Sequence, residues 1–129
     1  MTAVLVDTHI WAWTMIGGGR ARLSRTAHTA LDAIDEVVVS AVSFYEIAQK
    51  VRLGKWPEME PLVDRLSDLL AEQGGRATPL TADIATAAGL MQWDHRDPFD
   101  RLLAATAIHL NLPLVSADST FDGVVTRIW

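Results

Sequence analysis

Residues 3–7, AVLVD, form a short apolar run that ends in a carboxylate. An unbroken run of valine and leucine is typical of a parallel strand that is buried on both faces, because such a strand has no solvated side. Asp7 therefore stands at the carboxyl end of a predicted central strand. Related runs predict the other strands: VVVSA (37–41), ATPL (77–80), PLVSAD (113–118) and VVTRIW (124–129).

Helical patterns separate these runs. Apolar residues recur at helical spacing, and good N-cap residues precede several of the segments. Helices are predicted over 9–15, from Ser24 toward Asp35, over 43–53, over 59–72, after Thr81 and after Asp97-Pro98. Strands that alternate with helices of this length pair in parallel through right-handed crossovers. We therefore expect an α/β fold, a three-layer sandwich around a mainly parallel sheet of four or five strands.

The composition agrees with one globular domain over residues 1–129. Half of the residues are apolar and 21% are charged, which excludes a disordered chain. The absence of cysteine excludes disulfides, thiolate metal sites and a cysteine nucleophile. No apolar stretch approaches the length of a membrane span, and the first residues lack the basic start of a signal peptide, so a cytoplasmic location without membrane contact is expected.

Four acids are predicted to meet at one edge of the sheet. Asp7 and Asp118 each follow a strand directly, and Glu46 lies in the first turn of the helix after the second strand. Asp100 begins a helix that packs antiparallel to the strand ending at Asp118, which brings it to the same edge. Ligands of open parallel sheets bind beyond this carboxyl edge, near the point where strand order reverses.

This cluster suggests hydrolysis assisted by a metal ion. Four neighbouring carboxylates repel one another unless cations neutralise them. Carboxylate oxygens suit Mg²⁺ or Mn²⁺, which activate water and stabilise the oxygens of a phosphodiester displacement. The formal net charge of −5 counts against a protein that binds nucleic acid, unless bound cations invert the local charge.

Four segments together carry a resemblance to a known family. VDTHIW (6–11), SFYEIAQKVRLGKW (43–56), DPFDRLLAATA (97–107) and LVSAD (114–118) resemble PIN-domain nucleases, specifically the VapC-type toxins of bacterial toxin–antitoxin pairs. The resemblance covers nearly the whole chain, and the order of the four acids carries it.

The resemblance implies a function and a set of partners. It implies an Mg²⁺- or Mn²⁺-dependent endoribonuclease, with Asp7, Glu46, Asp100 and Asp118 as metal-binding acids and products that end in a 5′-phosphate and a 3′-hydroxyl. Ser116 matches a position where the family often has a hydroxyl. A homodimer and an inhibitory antitoxin are also implied. A non-catalytic PIN-fold module that binds an antitoxin or RNA is the alternative.

Several residues keep two interpretations. Asp97 is either an accessory ligand or only the N-cap before Pro98. Glu46 is four residues before Lys50, a spacing at which an ion pair stabilises a helix without any further role. A basic or aromatic set is proposed to contact RNA, although a solvated or packed position explains each of its members as well: Lys50, Arg52, Lys55, Trp93, Arg96 and Arg101.

Other functions with an acid at a strand tip fit less well. A phosphoacceptor receiver domain requires paired acids after its first strand, and this chain has one there. A haloacid-dehalogenase phosphatase requires a second acid two residues after Asp7, and position 9 is histidine.

Overall fold

A computed structural model describes residues 2–129. Its strands are β1 (Ala3–Val6), β2 (Glu36–Ser40), β3 (Arg76–Thr78), β4 (Leu114–Val115) and β5 (Arg127–Ile128). Its α-helices are α1 (Thr8–Met15), α2 (Arg25–Ala33), α3 (Ala41–Arg52), α4 (Leu66–Glu72), α5 (Ala82–Leu90) and α6 (Pro98–Leu110).

The five strands form one parallel sheet in the order β3-β2-β1-β4-β5. The prediction of a mainly parallel sheet of four or five strands is therefore confirmed. The chain moves outward from β1 through β2 to β3 and then returns to place β4 on the other side of β1. Strand order reverses between β1 and β4, and this switch point is where a parallel sheet opens a crevice at its carboxyl edge.

Side chains of the central strand alternate between two cores. Val4 and Val6 join a cluster with residues of α1, α2, α3 and α4, whereas Leu5 joins Ala104 and Ala107 of α6 on the opposite face. Since successive side chains of a strand point to opposite faces, helices cover both sides of the sheet. This arrangement confirms the predicted three layers and explains why the strand has no polar face.

The predicted continuous helix over 59–72 is wrong. Two short 3₁₀ turns, Pro57–Met59 and Val63–Arg65, precede α4, which begins only at Leu66. Pro61 lacks a backbone N–H and disfavours a helical conformation at the residue before it, so the helix does not extend across this position. The apolar stripe persists nonetheless, because Met59, Leu66 and Leu70 are all buried.

Side-chain caps fix where the helices begin. Ser24 accepts a hydrogen bond from the Ala27 N–H at 3.0 Å, and Thr81 accepts one from the Ile84 N–H at 3.2 Å. These contacts confirm both predicted N-caps. Between residues 2 and 129, no helix combines the length and hydrophobicity needed to cross a bilayer.

Candidate active site

The carboxyl edge of the sheet opens into a cavity of about 300 Å³ at the switch point. All four acids of the predicted cluster line it: Asp7, Glu46, Asp100 and Asp118. They come from the end of β1, from α3, from the first turn of α6 and from the segment after β4. The structure thus brings together residues as far apart in the chain as Asp7 and Asp118, which are separated by 111 positions.

Asp7 is the most deeply placed of these acids. Its Oδ1 accepts a hydrogen bond from the Ile10 N–H at 3.0 Å, which makes it the N-cap of α1, and its Oδ2 accepts one from the Ser116 hydroxyl. Burial raises the pKa of Asp7 from 3.8 to about 6; the two hydrogen bonds oppose this shift, and the charges of Asp100 and Glu46 add to it. Within residues 2–129 it forms no ion pair.

Ser116 joins the two acids that follow β1 and β4. The residue is fully buried, and its hydroxyl donates to Asp7 while accepting from the Asp118 N–H at 3.1 Å. Asp118 itself is exposed, and its Oδ1 accepts from the N–H and the hydroxyl of Thr120 at 2.9 and 2.6 Å. These two hydrogen bonds lower the pKa of Asp118. The predicted accessory position therefore orients the carboxylate of Asp7 and holds the backbone at Asp118.

Asp100 pairs with a histidine from the loop before α6. The His95 Nε2 lies 2.6 Å from the Asp100 Oδ2. Burial raises the pKa of Asp100, and the contact with His95 opposes that shift. Asp97 lines the same cavity, and its Oδ1 accepts from the N–H groups of Phe99 and Asp100 at 2.8 and 3.2 Å. Asp97 is thus the N-cap of α6, with Pro98 at the first helical position.

Glu46 forms the ion pair that its spacing from Lys50 predicted. The Lys50 Nζ lies 3.0 Å from the Glu46 Oε2, and the same ammonium stands 5.3 Å from the centroid of the Trp56 ring. Lys50 also lines the cavity, so the predicted RNA contact at this position remains a proposal. Arg52, Lys55 and Arg96 are exposed and do not line the cavity.

The chemistry of the donors fits a hard divalent cation. Every acid in the cavity offers carboxylate oxygens, which Mg²⁺ and Mn²⁺ prefer. Asp7 is a buried carboxylate held by neutral donors, and such a group gains most from a cation. Across residues 2–129, no three acidic or histidine side chains are already grouped at metal-ligand spacing. A cation in this cavity would therefore compete with the present partners of the acids, among them His95 and Lys50.

Two of the predicted RNA contacts have partners within the protein. The Arg101 guanidinium donates four hydrogen bonds of 2.7–3.0 Å to backbone carbonyls, those of Ala88, Met91, Trp93 and His95. Its N–H groups are therefore engaged within the protein. Trp93 packs against the second core, with its ring 5.8 Å from that of Phe121. These contacts favour the packed interpretation of both residues, and an RNA contact at either position stays a prediction.

Sequence reasoning missed two polar partners of the acids. His95 holds Asp100 and Thr120 holds Asp118, whereas the pairing of Lys50 with Glu46 was predicted from helical spacing. An Asp-x-Thr pattern is a signal for a side-chain hydrogen bond two residues onward and points to Thr120. No comparable pattern points to His95, because it lies in an irregular loop.

Known proteins resemble this chain in sequence. The model of the PIN domain family matches residues 4–125. Ribonuclease VapC22 from Mycobacterium tuberculosis is 34% identical over 119 residues, which are 92% of this chain and 88% of that protein.

Solved structures also share the fold. A toxin–antitoxin complex from Klebsiella pneumoniae includes a chain with a TM-score of 0.67 and 20% identity, covering 98% of this chain and 96% of its own. VapC20 of Mycobacterium tuberculosis, a toxin that cleaves the sarcin-ricin loop, gives a TM-score of 0.64 and 21% identity over 98% and 99% of the two chains.

Proposed function

The chain belongs to the PIN-domain family, and on this basis we propose that it is a metal-dependent endoribonuclease, the toxin of a toxin–antitoxin pair. One observation carries the proposal. Asp7, Glu46, Asp100 and Asp118 line a single cavity at the switch point of a parallel sheet. A non-catalytic binding module would have no use for four acids gathered there at an electrostatic cost.

The four acids are the proposed ligands of Mg²⁺ or Mn²⁺. The bound ion supplies an activated water and neutralises charge on the phosphodiester. Ser116 holds the carboxylate of Asp7 in one orientation through its hydroxyl. Leu103 and Phe121 are buried and form an apolar part of the cavity wall beside the carboxylates.

Ribonuclease activity is the direct test. Purified protein free of antitoxin is expected to cleave structured RNA in Mg²⁺ or Mn²⁺, to leave 5′-phosphate ends and to stop when a chelator is added. Asp7→Asn is expected to lose at least 100-fold of the rate, on the order of the effect of removing a metal ligand or its support. Asp68→Asn, an exposed acid of α4 outside the cavity, is the matched control and keeps full activity.

Two outcomes contradict the proposal. Equal cleavage by Asp7→Asn and the unaltered protein shows that a contaminating nuclease is responsible. Absence of cleavage in every divalent metal, from a protein that is folded and binds RNA, favours the non-catalytic module instead.

The proposed partners are RNA, a cognate antitoxin and a second copy of the chain. Membership of the family and the resemblance to ribonuclease VapC22 support RNA as substrate. The antitoxin is supported by the Klebsiella structure, which is a toxin–antitoxin complex of the same fold. The homodimer rests on the family resemblance, and light scattering of the purified protein tests it.

A further inference from the structure

The wall of the cavity beside the acids is aromatic. His9 and Trp13 both line the cavity with the four carboxylates. They are four residues apart on α1, so they project from the same face of the helix. Their ring centroids lie 6.5 Å apart in an edge-to-face arrangement with an interplanar angle of 66°. The cavity therefore combines a carboxylate side, suited to a metal and a phosphate, with a side made of flat rings.

The ring of His9 is held in place from behind. It stacks on Trp56 with centroids 4.9 Å apart and planes inclined by 30°. Trp56 is only 8% exposed, whereas His9 is exposed and borders the cavity. The Lys50 ammonium also lies over Trp56, which ties this stack to the ion pair with Glu46. His9 is thus an exposed ring whose position is held by the stack on Trp56.

We propose that His9 and Trp13 form a stacking site for a nucleobase next to the cleaved phosphodiester. The inference rests on the proposed ribonuclease function and assigns the part of the RNA that this wall recognises. A base stacked on an aromatic side chain is a common element of single-stranded nucleic acid binding, and every base offers the flat face that it needs. Bases that are unstacked from a loop are the usual targets of specific RNA recognition.

The charge of the protein favours a contact that does not depend on attraction of phosphates. The formal net charge is −5, so attraction of phosphates by the surface as a whole cannot provide the affinity. Only one basic residue, Lys50, lines the cavity among the residues described, and its ammonium is paired with Glu46. Stacking does not depend on net charge, and it fixes the position of the nucleotide relative to the carboxylates.

His9→Ala removes the platform, and His9→Phe retains it. We expect His9→Ala to raise the KM for RNA cleavage roughly 5- to 150-fold, the range found for loss of one base–aromatic stack. His9→Phe is expected to restore the KM to within about threefold. His109→Ala removes an exposed histidine from the last turn of α6, outside the cavity, and serves as the matched control that leaves KM unchanged.

A binding experiment separates this inference from the proposed nuclease function. The probe is a single-stranded hexamer of adenylates, compared with hexamers that carry one abasic nucleotide at each position in turn, with Ca²⁺ replacing Mg²⁺ and fluorescence anisotropy as the readout. One abasic position should weaken binding to the unaltered protein and have no further effect on His9→Ala. This loss of sensitivity is the signature of a direct contact.

Three results bear on the inference. Equal binding and equal KM in His9→Ala and the unaltered protein overturn it, even where RNA is cleaved. Weak binding by His9→Ala that Phe does not restore, and that remains sensitive to the abasic nucleotide, assigns His9 a structural role and also overturns it. Position-specific binding without cleavage supports the stacking site while the nuclease proposal fails.

Discussion

Replacing Asp7 by asparagine is expected to stabilise the metal-free protein at neutral pH while it abolishes cleavage. Folding transfers this carboxylate to a site where its pKa rises from 3.8 to about 6. Below pH 3.8 the group is protonated in both the folded and the unfolded chain. Between the two values the unfolded chain ionises first, so stability falls as pH rises, and above pH 6 the full cost applies.

The magnitude follows from the shift. A difference of about 2.2 pKa units corresponds to about 3 kcal/mol at 1.36 kcal/mol per unit. Asparagine does not titrate, and it keeps both contacts: its Oδ1 accepts the Ile10 N–H and its amide donates to the Ser116 hydroxyl. The gain in stability of Asp7→Asn over the unaltered protein should therefore grow by about 2 kcal/mol between pH 4 and pH 8, because part of the cost is already present at pH 4, and this corresponds to roughly 8 °C in Tm.

Thermal unfolding in the presence of a chelator, measured from pH 4 to pH 8, tests this difference. Asp118→Asn is the matched control, because hydrogen bonds from Thr120 lower the pKa of Asp118 and the folded state favours its charged form. The destabilisation of this variant relative to the unaltered protein should develop below about pH 4, as pH rises toward the ordinary pKa of 3.8, and stay nearly constant from pH 5 to pH 8. Added Mg²⁺ should raise the Tm of the unaltered protein more than that of Asp7→Asn. A Tm difference for Asp7→Asn that is constant across the pH range would refute the burial cost.

Three further substitutions test the elements that support the cavity. Arg101→Lys should lower the free energy of unfolding by about 2 kcal/mol or more in urea titrations. The reason is that an ammonium cannot donate to all four carbonyls that the guanidinium reaches, so acceptors are left unpaired. Unchanged stability would show that these four hydrogen bonds do not stabilise the fold. Asp97→Ala should cost about 1 kcal/mol through loss of the N-cap of α6, whereas Asp97→Ser should cost only a few tenths, and equal losses would exclude capping as the cause. Gly19→Ala should lower the Tm by several degrees in circular dichroism, because the added Cβ falls 2.2 Å from the Trp13 carbonyl oxygen, while Gly17→Ala, with open space around it, should not.

The acids at strand tips were predictable because the pattern that buries a parallel strand also marks its end. Asp7 and Asp118 follow apolar runs that are typical of buried parallel strands and not of surface segments, and the carboxyl ends of parallel strands share one edge. Asp100 and Glu46 follow from the same geometry, since the chain enters α3 at this edge and α6 begins there.

The contacts between these acids and their partners were not predictable from local pattern. Arg101 was proposed to contact RNA, with a solvated or packed position as the alternative, and only the fold of α5 and the following loop brings four carbonyls around it. The stack of His9 on Trp56 joins residues that are 47 positions apart in the chain. At Pro61 the apolar stripe and the proline favoured different structures, and backbone geometry prevailed.

The four carboxylates differ in the groups that they contact, and this difference bears on how the proposed site would hold a cation. Asp7 and Asp118 accept hydrogen bonds from neutral groups, and a carboxylate has enough lone pairs to keep those bonds while it binds a metal. Glu46 and Asp100 instead contact the side chains of Lys50 and His95, at 3.0 and 2.6 Å, respectively. Asp7 and Asp118 therefore form the fixed half of the proposed metal site. In the proposed site Glu46 and Asp100 would hold a cation only in exchange for these partners, and Lys50 would then be available to a phosphate of the RNA.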